Sequence, residues 1–208
     1  MGNHGRPGMR SQAFGQNHQL SPVDKLGIWL SQRKIRSLIP SYRDLAIADL
    51  GCGYNALLVR QVLGDVRQAV LVDVALAPDL KTEQKVNAIE GTMPDALRVI
   101  SDASLDVIVC NNVLEHLWEP LATLREIHRI LAPGGSLFVN VPSWRGKWFL
   151  EFSAFRLGLS PAVEMNDHKM YYDPSDLWPL LVRAGFLPQR IRTGYQKFGL
   201  NTFAICKA

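Results

Sequence analysis

A glycine-rich loop is the first part of the sequence whose spacing fits the binding of a ligand. The stretch Asp49-Leu50-Gly51-Cys52-Gly53-Tyr54-Asn55-Ala56 has the pattern G-x-G-x-x-G/A. Glycine lets the backbone of such a loop approach a ligand closely, and amides at the start of the following helix favour an anionic group. Asp73 lies 20 residues beyond Gly53, where a carboxylate accepts hydrogen bonds from both hydroxyls of a ribose. The spacing therefore predicts a ligand that contains a nucleoside.

Two classes of nucleoside ligand fit this loop, a nicotinamide dinucleotide and S-adenosylmethionine. Short-chain dehydrogenases need a tyrosine and a lysine four residues apart, and no tyrosine of this sequence has a lysine at that offset. Hydride chemistry of that type would therefore lack its usual proton donor. The loop alone leaves both ligands open.

The elements that must position the loop alternate between strands and helices. Apolar runs indicate seven strands at residues 47–50, 69–74, 86–89, 105–110, 137–141, 189–193 and 202–207. Helical spacing predicts helices at residues 22–38, 56–63, 79–85, 94–100, 120–131 and 174–184. Strands that alternate with helices imply right-handed crossovers and a mostly parallel sheet.

The last two predicted strands break this alternation. Only residues 194–201 separate them, which is too short for a crossover helix, so they should pair as an antiparallel hairpin at the sheet edge. The predicted fold class is α/β. We expect a doubly wound, mostly parallel seven-stranded sheet with helices on both faces and a C-terminal antiparallel hairpin.

Four successive segments resemble the ordered motifs of class I S-adenosylmethionine-dependent methyltransferases, which have a Rossmann-like fold. The segments are residues 47–53 (IADLGCG), 71–74 (LVDV), 105–117 (LDVIVCNNVLEHL) and 124–135 (LREIHRILAPGG). The similarity covers about residues 45–142 and extends to quinone and small-molecule methyltransferases. It implies S-adenosylmethionine as cofactor, S-adenosylhomocysteine as product and methyl transfer as activity.

The resemblance also implies nine cofactor-binding residues. They are Asp49, Gly51, Gly53, Asp73, Val74, Gly91, Thr92, Met93 and Asn111. Asp49 and the loop glycines would hold the methionine end, Asp73 the ribose hydroxyls with Val74 against adenine, residues 91–93 the adenine edge, and Asn111 would lie beneath the donor methyl. Thr92 departs from the family pattern, because many relatives have an aspartate there that accepts from the adenine amino group.

Methyl transfer from a sulfonium needs mainly alignment and, for a hydroxyl acceptor, removal of a proton. His116, directly after the fourth strand, and His168 are the two candidate bases. For each, a histidine that only packs, caps or contacts solvent is the competing interpretation. Some resembling quinone methyltransferases hold a metal with a carboxylate at the position of Asn112. Because an amide stands here, we expect no required metal.

An apolar segment at about residues 143–172 is expected to form a lid over the acceptor. Trp148, Phe152, Phe155 and Leu159 recur at helical spacing and form an aromatic stripe. This stripe would cover a bulky lipid or aromatic acceptor, rest on a membrane as a peripheral contact, or pack as the core of the lid. The three interpretations stay open.

Length and composition predict one domain over residues 21–208, which the resemblance implies is a methyltransferase domain, and a disordered tail over residues 1–20. Hydrophobic residues make up 47% of the chain and charged residues 20%, which is typical of a globular protein. The three cysteines form no CxxC pair, the start lacks the apolar part of a secretory signal, and no apolar run reaches the roughly 18 residues of a membrane span. We therefore expect a cytoplasmic protein.

The charge distribution leaves alternatives to a small-molecule enzyme. Residues 1–40 and 183–208 each carry a net charge of +5, and the part between them carries −6. Basic ends suit phosphates, although a solvated face also explains them. The leading hypothesis is methyl transfer to a hydroxyl of a small-molecule or lipid- or glycan-linked acceptor. An RNA-directed methyltransferase, a noncatalytic S-adenosylmethionine-binding module and, less favoured, a nicotinamide oxidoreductase are the alternatives.

Overall fold

The computed structural model describes residues 12–16, 22–39, 41–148 and 168–208. Within them, helices and strands alternate along the chain. The elements are α1 (Pro22–Leu38), β1 (Ala46–Leu50), α2 (Leu57–Arg60), β2 (Gln68–Asp73), α3 (Pro78–Thr82), β3 (Val86–Glu90), β4 (Leu105–Asn111), α4 (Pro120–Ile130), β5 (Leu131–Pro142), α5 (Pro174–Ala184), β6 (Ile191–Gln196) and β7 (Asn201–Lys207).

The seven strands form one sheet in the order β3-β2-β1-β4-β5-β7-β6. The pairs from β3 across to β5 are parallel, and β7 is antiparallel to both β5 and β6. This arrangement confirms the predicted fold class. The strand order reverses between β1 and β4, and the carboxyl ends of strands at such a reversal form the usual ligand crevice of an α/β sheet.

The C-terminal hairpin brings its turn to the same carboxyl edge. Asn201, the first residue of β7, pairs with Pro142 at the end of β5 and with Gln196 at the end of β6. Residues 197–200 therefore lie beside the carboxyl ends of the parallel strands. The predicted antiparallel pairing is confirmed.

The core consists of two apolar clusters, one on each face of the sheet. On one face, Leu50 of β1 packs with Leu124 of α4 and Leu181 of α5. On the other face, Ile47 of β1 packs with Ile35 of α1. All five residues of β1 are buried, because helices cover both sides of a doubly wound sheet. Because both faces of the sheet are covered by helices, its central strands appear in the sequence as continuous apolar runs.

Two predicted helices are much shorter than their patterns suggested. The helix expected at 56–63 spans only Leu57–Arg60, and the left-handed φ of 43° at Ala56 excludes that residue from its start. The helix expected at 94–100 is a single 3₁₀ turn at Asp95–Leu97. There the Arg129 guanidinium donates to the Leu97 carbonyl at 3.0 Å and to the Ile100 carbonyl at 2.9 Å. Hydrogen bonds from α4 thus pair these two carbonyl groups, which need no further helical turn to be satisfied.

Part of the expected tail packs on the glycine loop. Residues 12–16 lie within the range predicted to be disordered, yet Ala13 is buried and the Phe14 carbonyl accepts from the Tyr54 amide at 2.9 Å. The rest of that range, apart from this short segment, lies outside the described residues. So do Phe152, Phe155 and Leu159 of the aromatic stripe. None of the helices in the described ranges is long and apolar enough to cross a bilayer.

Gly146 joins the segment after β5 to the β6–β7 turn. It lies in a helical turn at 144–148, and a Cβ atom at this position would overlap the Leu200 carbonyl oxygen. The Ser143 hydroxyl donates to the Gly199 carbonyl at 2.6 Å, and its amide donates to the Leu200 carbonyl at 3.0 Å. The two segments therefore pack as one unit at the carboxyl edge.

Replacing Gly146 with alanine should destabilise this unit. Because the added methyl meets backbone, we expect the free energy of unfolding in urea to fall by about 1–3 kcal/mol. Gly64→Ala is the matched control, since no atom lies within 4 Å of a Cβ there, and it should stay within about 0.5 kcal/mol of wild type. Equal losses in both variants would contradict the contact.

Candidate active site

The carboxyl edge of the sheet encloses a cavity of about 720 Å³. Its wall combines the loop after β1, the carboxyl ends of the neighbouring parallel strands, helix α1 and the β6–β7 turn. The volume lies within the range of about 300–1,000 Å³ that is typical of small-molecule sites. The cavity also lies at the reversal of strand order, where an α/β sheet binds its ligand.

Gly51 sets the path of the loop after β1. Its φ is 68°, and a Cβ atom there would overlap Cγ2 of Val113. Its amide donates to the Val72 carbonyl at 2.7 Å, which ties the loop to the end of β2. A side chain at this position would therefore force the loop away from β4.

Asp73 lies against this loop, as its spacing predicted. One carboxylate oxygen accepts from the Gly53 amide at 2.8 Å, and the other accepts from the Val74 amide at 2.7 Å. The Asp73 carbonyl accepts from the Gly91 amide at 3.0 Å. The last residue of β2 thus connects the glycine loop to the segment that follows β3.

All nine predicted cofactor positions line the one cavity. They are Asp49, Gly51, Gly53, Asp73, Val74, Gly91, Thr92, Met93 and Asn111. The structure therefore brings together residues that are spread over four strand ends and their loops. Cavity size, the close approach at Gly51 and the oriented Asp73 carboxylate fit an adenosyl ligand with a ribose diol.

Asp49 is a buried carboxyl group at the cavity wall. It is 4% exposed. Burial, and secondarily the negative charge of Asp73, raise its pKa from 3.8 to about 7. A cationic group bound next to it would favour the ionised form, and S-adenosylmethionine carries an ammonium and a sulfonium.

The two candidate bases lie next to each other although they are far apart in the sequence. The ring centroids of His116 and His168 are 4.9 Å apart, and both side chains line the cavity. The Nδ1 atom of His168 is 3.1 Å from the Tyr171 hydroxyl. The segment that carries His168 is held by the Lys169 amide, which donates to the Glu115 carbonyl at 2.6 Å.

Glu115 joins these histidines in a compact polar group. Potential ligand atoms of Glu115, His116 and His168 lie within 4.8 Å of one another. The sequence spacing does not indicate this group, because the fold brings His168 to the other two residues. That methyl transfer requires no metal stays a prediction.

Sequence patterns did not indicate a network of amide side chains at the ends of β4, β5 and β6, beside the cavity. The fully buried Asn140 side chain donates to Asn111 at 2.8 Å and to Asn112 at 3.1 Å, and it accepts from Gln196. Asn201 donates to Asn112 at 3.4 Å. The network links the ends of β4, β5 and β6, and only the register of the hairpin reveals it.

Comparison with known proteins places the chain in a family. Residues 30–188 match the family described as "Methyltransferase domain". The chain belongs to the class I S-adenosylmethionine-dependent methyltransferase family. This methyltransferase domain therefore has S-adenosylmethionine as its cofactor, and the resemblance stated from the sequence motifs is confirmed.

Curated relatives of the methyltransferase domain are similar over part of their length. A probable S-adenosylmethionine-dependent methyltransferase of Mycobacterium tuberculosis is 30% identical over 151 residues, 70% of this chain and 49% of the relative. A ubiquinone biosynthesis O-methyltransferase of Xanthomonas campestris is 30% identical over 131 residues, 59% of this chain and 50% of the relative. The chain thus spans about half the length of these relatives.

Solved structures share the fold. A SAM-dependent methyltransferase from Archaeoglobus fulgidus has a TM-score of 0.63 at 16% identity, over 86% of this chain and 94% of the other. An S-adenosylmethionine-dependent methyltransferase from Mesorhizobium loti has a TM-score of 0.61 at 13% identity, over 85% and 96%. At this identity the likeness supports the architecture of the methyltransferase domain alone.

Asp49→Asn should stabilise the methyltransferase in a pH-dependent way. The pKa of Asp49 is about 7 in the folded protein, above the usual 3.8. The contribution of its carboxyl group to the free energy of unfolding of the wild type is therefore fully present below about pH 4 and is lost as the pH rises through 7. The advantage of the variant should therefore grow from near zero at pH 4 to at most about 4 kcal/mol at pH 8 in urea unfolding. The same difference at both pH values would show that this carboxyl group is not buried as described.

Proposed function

We propose that this protein transfers the methyl group of S-adenosylmethionine to a hydroxyl of a small-molecule or lipid- or glycan-linked acceptor. The observation that carries the proposal is the Asp73 carboxylate, 2.8 Å from the Gly53 amide, in the wall of a cavity that also contains His116 and His168. A ribose-binding acid and two imidazoles in one cavity suit a nucleoside donor beside an acceptor that loses a proton.

The protein's own part on the cofactor side is to bind and orient. When bound, S-adenosylmethionine supplies an activated methyl group on its sulfonium. Asp49 would face the ammonium, Asp73 would accept hydrogen bonds from the ribose hydroxyls, and Asn111 would limit the space below the methyl group. At the adenine edge, the Thr92 hydroxyl and backbone groups of residues 91–93 replace the carboxylate of other family members. Alignment of this kind supplies much of the rate enhancement of a transfer reaction.

On the acceptor side, His116 is the first candidate for the base and His168 the second. His116 ends the 3₁₀ turn Leu114–His116 that comes shortly after β4, and β4 itself ends at Asn111, next to the proposed methyl position. A neutral imidazole there would take the proton of the acceptor hydroxyl as the oxygen–carbon bond forms and the methyl carbon–sulfur bond of the sulfonium breaks, with S-adenosylhomocysteine as the leaving group. The Tyr171 hydroxyl, 3.1 Å from His168 Nδ1, fixes the orientation of the second ring.

An apolar rim around the cavity mouth supports a bulky acceptor. Leu26 is 57% exposed, Trp118 is 57% exposed and Phe198 is 97% exposed, and all three line the cavity. Trp148, at 75% exposure, is the described member of the aromatic stripe. These side chains suit a lipid-linked acceptor or a peripheral membrane contact. The name of the Xanthomonas relatives, O-methyltransferases of ubiquinone biosynthesis, supports a hydroxyl as the group that is methylated.

Calorimetric titration with S-adenosylmethionine tests the cofactor half of the proposal. Asp73→Asn should bind about 10–100-fold more weakly than wild type, because a hydrogen bond to a charged group contributes about 1.5–3 kcal/mol. Asp79→Asn is the matched control: this carboxylate lies on α3 outside the cavity and pairs with Arg60 at 2.6 Å. The affinity of Asp79→Asn for S-adenosylmethionine should stay within about twofold of wild type. No binding by the unaltered protein would refute the proposal.

Methyl-labelled S-adenosylmethionine, incubated with fractionated cell extract and followed by mass spectrometry, tests the acceptor half. We expect labelled product with wild type, and His116→Gln should lower kcat about 10²–10⁴-fold while leaving the affinity for S-adenosylhomocysteine unchanged. Tight cofactor binding without any labelled product would instead favour a noncatalytic module, and a labelled RNA fraction would favour the RNA-directed alternative.

A further inference from the structure

We infer that Lys197 forms an anion-binding subsite on the acceptor side of the cavity, and that the acceptor carries a carboxylate or phosphate group. The existence of the subsite follows from the structure of the cavity. Its assignment to the acceptor rests on the proposed function.

The position of Lys197 separates it from the cofactor side. It lies in the turn between β6 and β7 and lines the cavity. In the sheet, β4 and β5 stand between β1 and β7, so three strand spacings, roughly 14 Å, separate the hairpin from the loop proposed to hold the methionine end. The ammonium reaches the cavity beside α1, where a Cβ at Gly27 would lie 3.9 Å from its Nζ atom.

The charge of Lys197 is unusual in its surroundings. Among the described residues that line the cavity, it is the sole lysine or arginine, whereas four acids, Asp49, Asp73, Glu115 and Glu119, line the same wall. In the described part of the chain, no carboxylate forms an ion pair with it. A cation withdrawn from water favours an anionic partner, and a ligand entering the cavity can supply one.

Burial has a measurable consequence for this ammonium. Loss of water contact lowers the pKa of Lys197 to about 8, and the negative charge of Glu115 opposes that shift. Below that pKa the group is largely cationic, so at neutral pH it attracts an anion. An anion bound beside it would raise its pKa again.

The turn that carries Lys197 is held in place by polar contacts. Gln196, the preceding residue, donates to Asn140, which in turn donates to Asn111 at 2.8 Å. On the other side, the Ser143 hydroxyl donates to the Gly199 carbonyl at 2.6 Å. Lys197 itself has a left-handed φ of 51°, a conformation that persists only when the surroundings fix it. The backbone from which the Lys197 side chain extends is therefore held at a defined position relative to Asn111, where the methyl group is proposed to lie.

This arrangement suits an acceptor with two recognised ends. A hydroxyl next to His116 lies near the methyl group, and an acidic substituent of the same molecule reaches Lys197. The cofactor's own carboxylate is the competing anion. The two assignments differ in what removal of the ammonium does to cofactor binding.

A calorimetric experiment with matched small ligands tests the subsite without knowledge of the natural acceptor. Protein saturated with S-adenosylhomocysteine is titrated at low salt with 4-hydroxybenzoate, phenyl phosphate and the neutral 4-hydroxybenzamide. We expect at least one of the two anions to bind about tenfold or more tightly than the neutral amide, because charge-assisted hydrogen bonds are about twice as strong as neutral ones. Equal affinities, or no saturable binding of either anion, would overturn the inference.

Variants then test whether the Lys197 side chain causes the preference for an anion over the neutral amide. Lys197→Gln should remove the preference for the anion, Lys197→Arg should retain part of it, and Lys34→Gln is the matched control. Lys34 lies on α1 outside the cavity, with its ammonium 4.3 Å from the centre of the Phe203 ring, and its loss should leave the preference intact. If Lys197→Gln weakens S-adenosylhomocysteine itself by about tenfold or more, the ammonium serves the cofactor and the acceptor subsite is refuted.

The labelled-product assay separates this inference from the proposed function. Labelled product that anion exchange retains, and whose formation Lys197→Gln slows about tenfold or more at low acceptor concentration, supports the subsite. Partition of that product between water and organic solvent then distinguishes a soluble acid from an acidic lipid. A neutral labelled product would overturn the anion subsite and leave the methyltransferase intact. If no product forms, the proposed function fails, and calorimetry alone decides whether Lys197 binds anions.

Discussion

The hydrogen bond between the Gly53 amide and the Asp73 carboxylate fixes the geometry on which the site depends. It joins the loop after β1 to the end of β2 at 2.8 Å, next to the parallel pair of Leu50 and Val72. Gly51 packs against Val113 from the other side, so the loop is held between β2 and the segment after β4. Asp49 is buried next to this loop, and its burial, with the negative charge of Asp73 as a smaller cause, raises its pKa.

Charged groups of both signs line the cavity. Asp49 and Asp73 lie where a cationic donor is proposed to bind, Glu115 lies beside His116, and Lys197 and the amide network lie at the carboxyl ends of β5 and β6. Side chains at the mouth are apolar and exposed. A site built in this way suits a cationic cofactor on one side and the proposed amphiphilic acceptor on the other, and His116 lines the same cavity.

Local patterns predicted the parts of the molecule that local sequence controls. Apolar runs indicated every strand, and the spacing from Gly53 to Asp73 indicated their contact because parallel neighbours end at the same edge. Sequence patterns did not predict the structure where contacts between residues far apart in the chain determine it. The Arg129 guanidinium donates to the carbonyls of Leu97 and Ile100, where the spacing had predicted a longer helix. Likewise, His168 reaches His116 because the Glu115 carbonyl holds the Lys169 amide, and Lys197 reaches the cavity because of the register of β7 against β5.

The most direct test of the central claim is a crystal structure of the protein with S-adenosylhomocysteine. We expect both ribose hydroxyls within about 2.5–3.0 Å of the Asp73 carboxylate oxygens, with the sulfur turned toward Asn111 and His116. A ribose bound away from Asp73, or a glycine loop that contacts no part of the ligand, would contradict it.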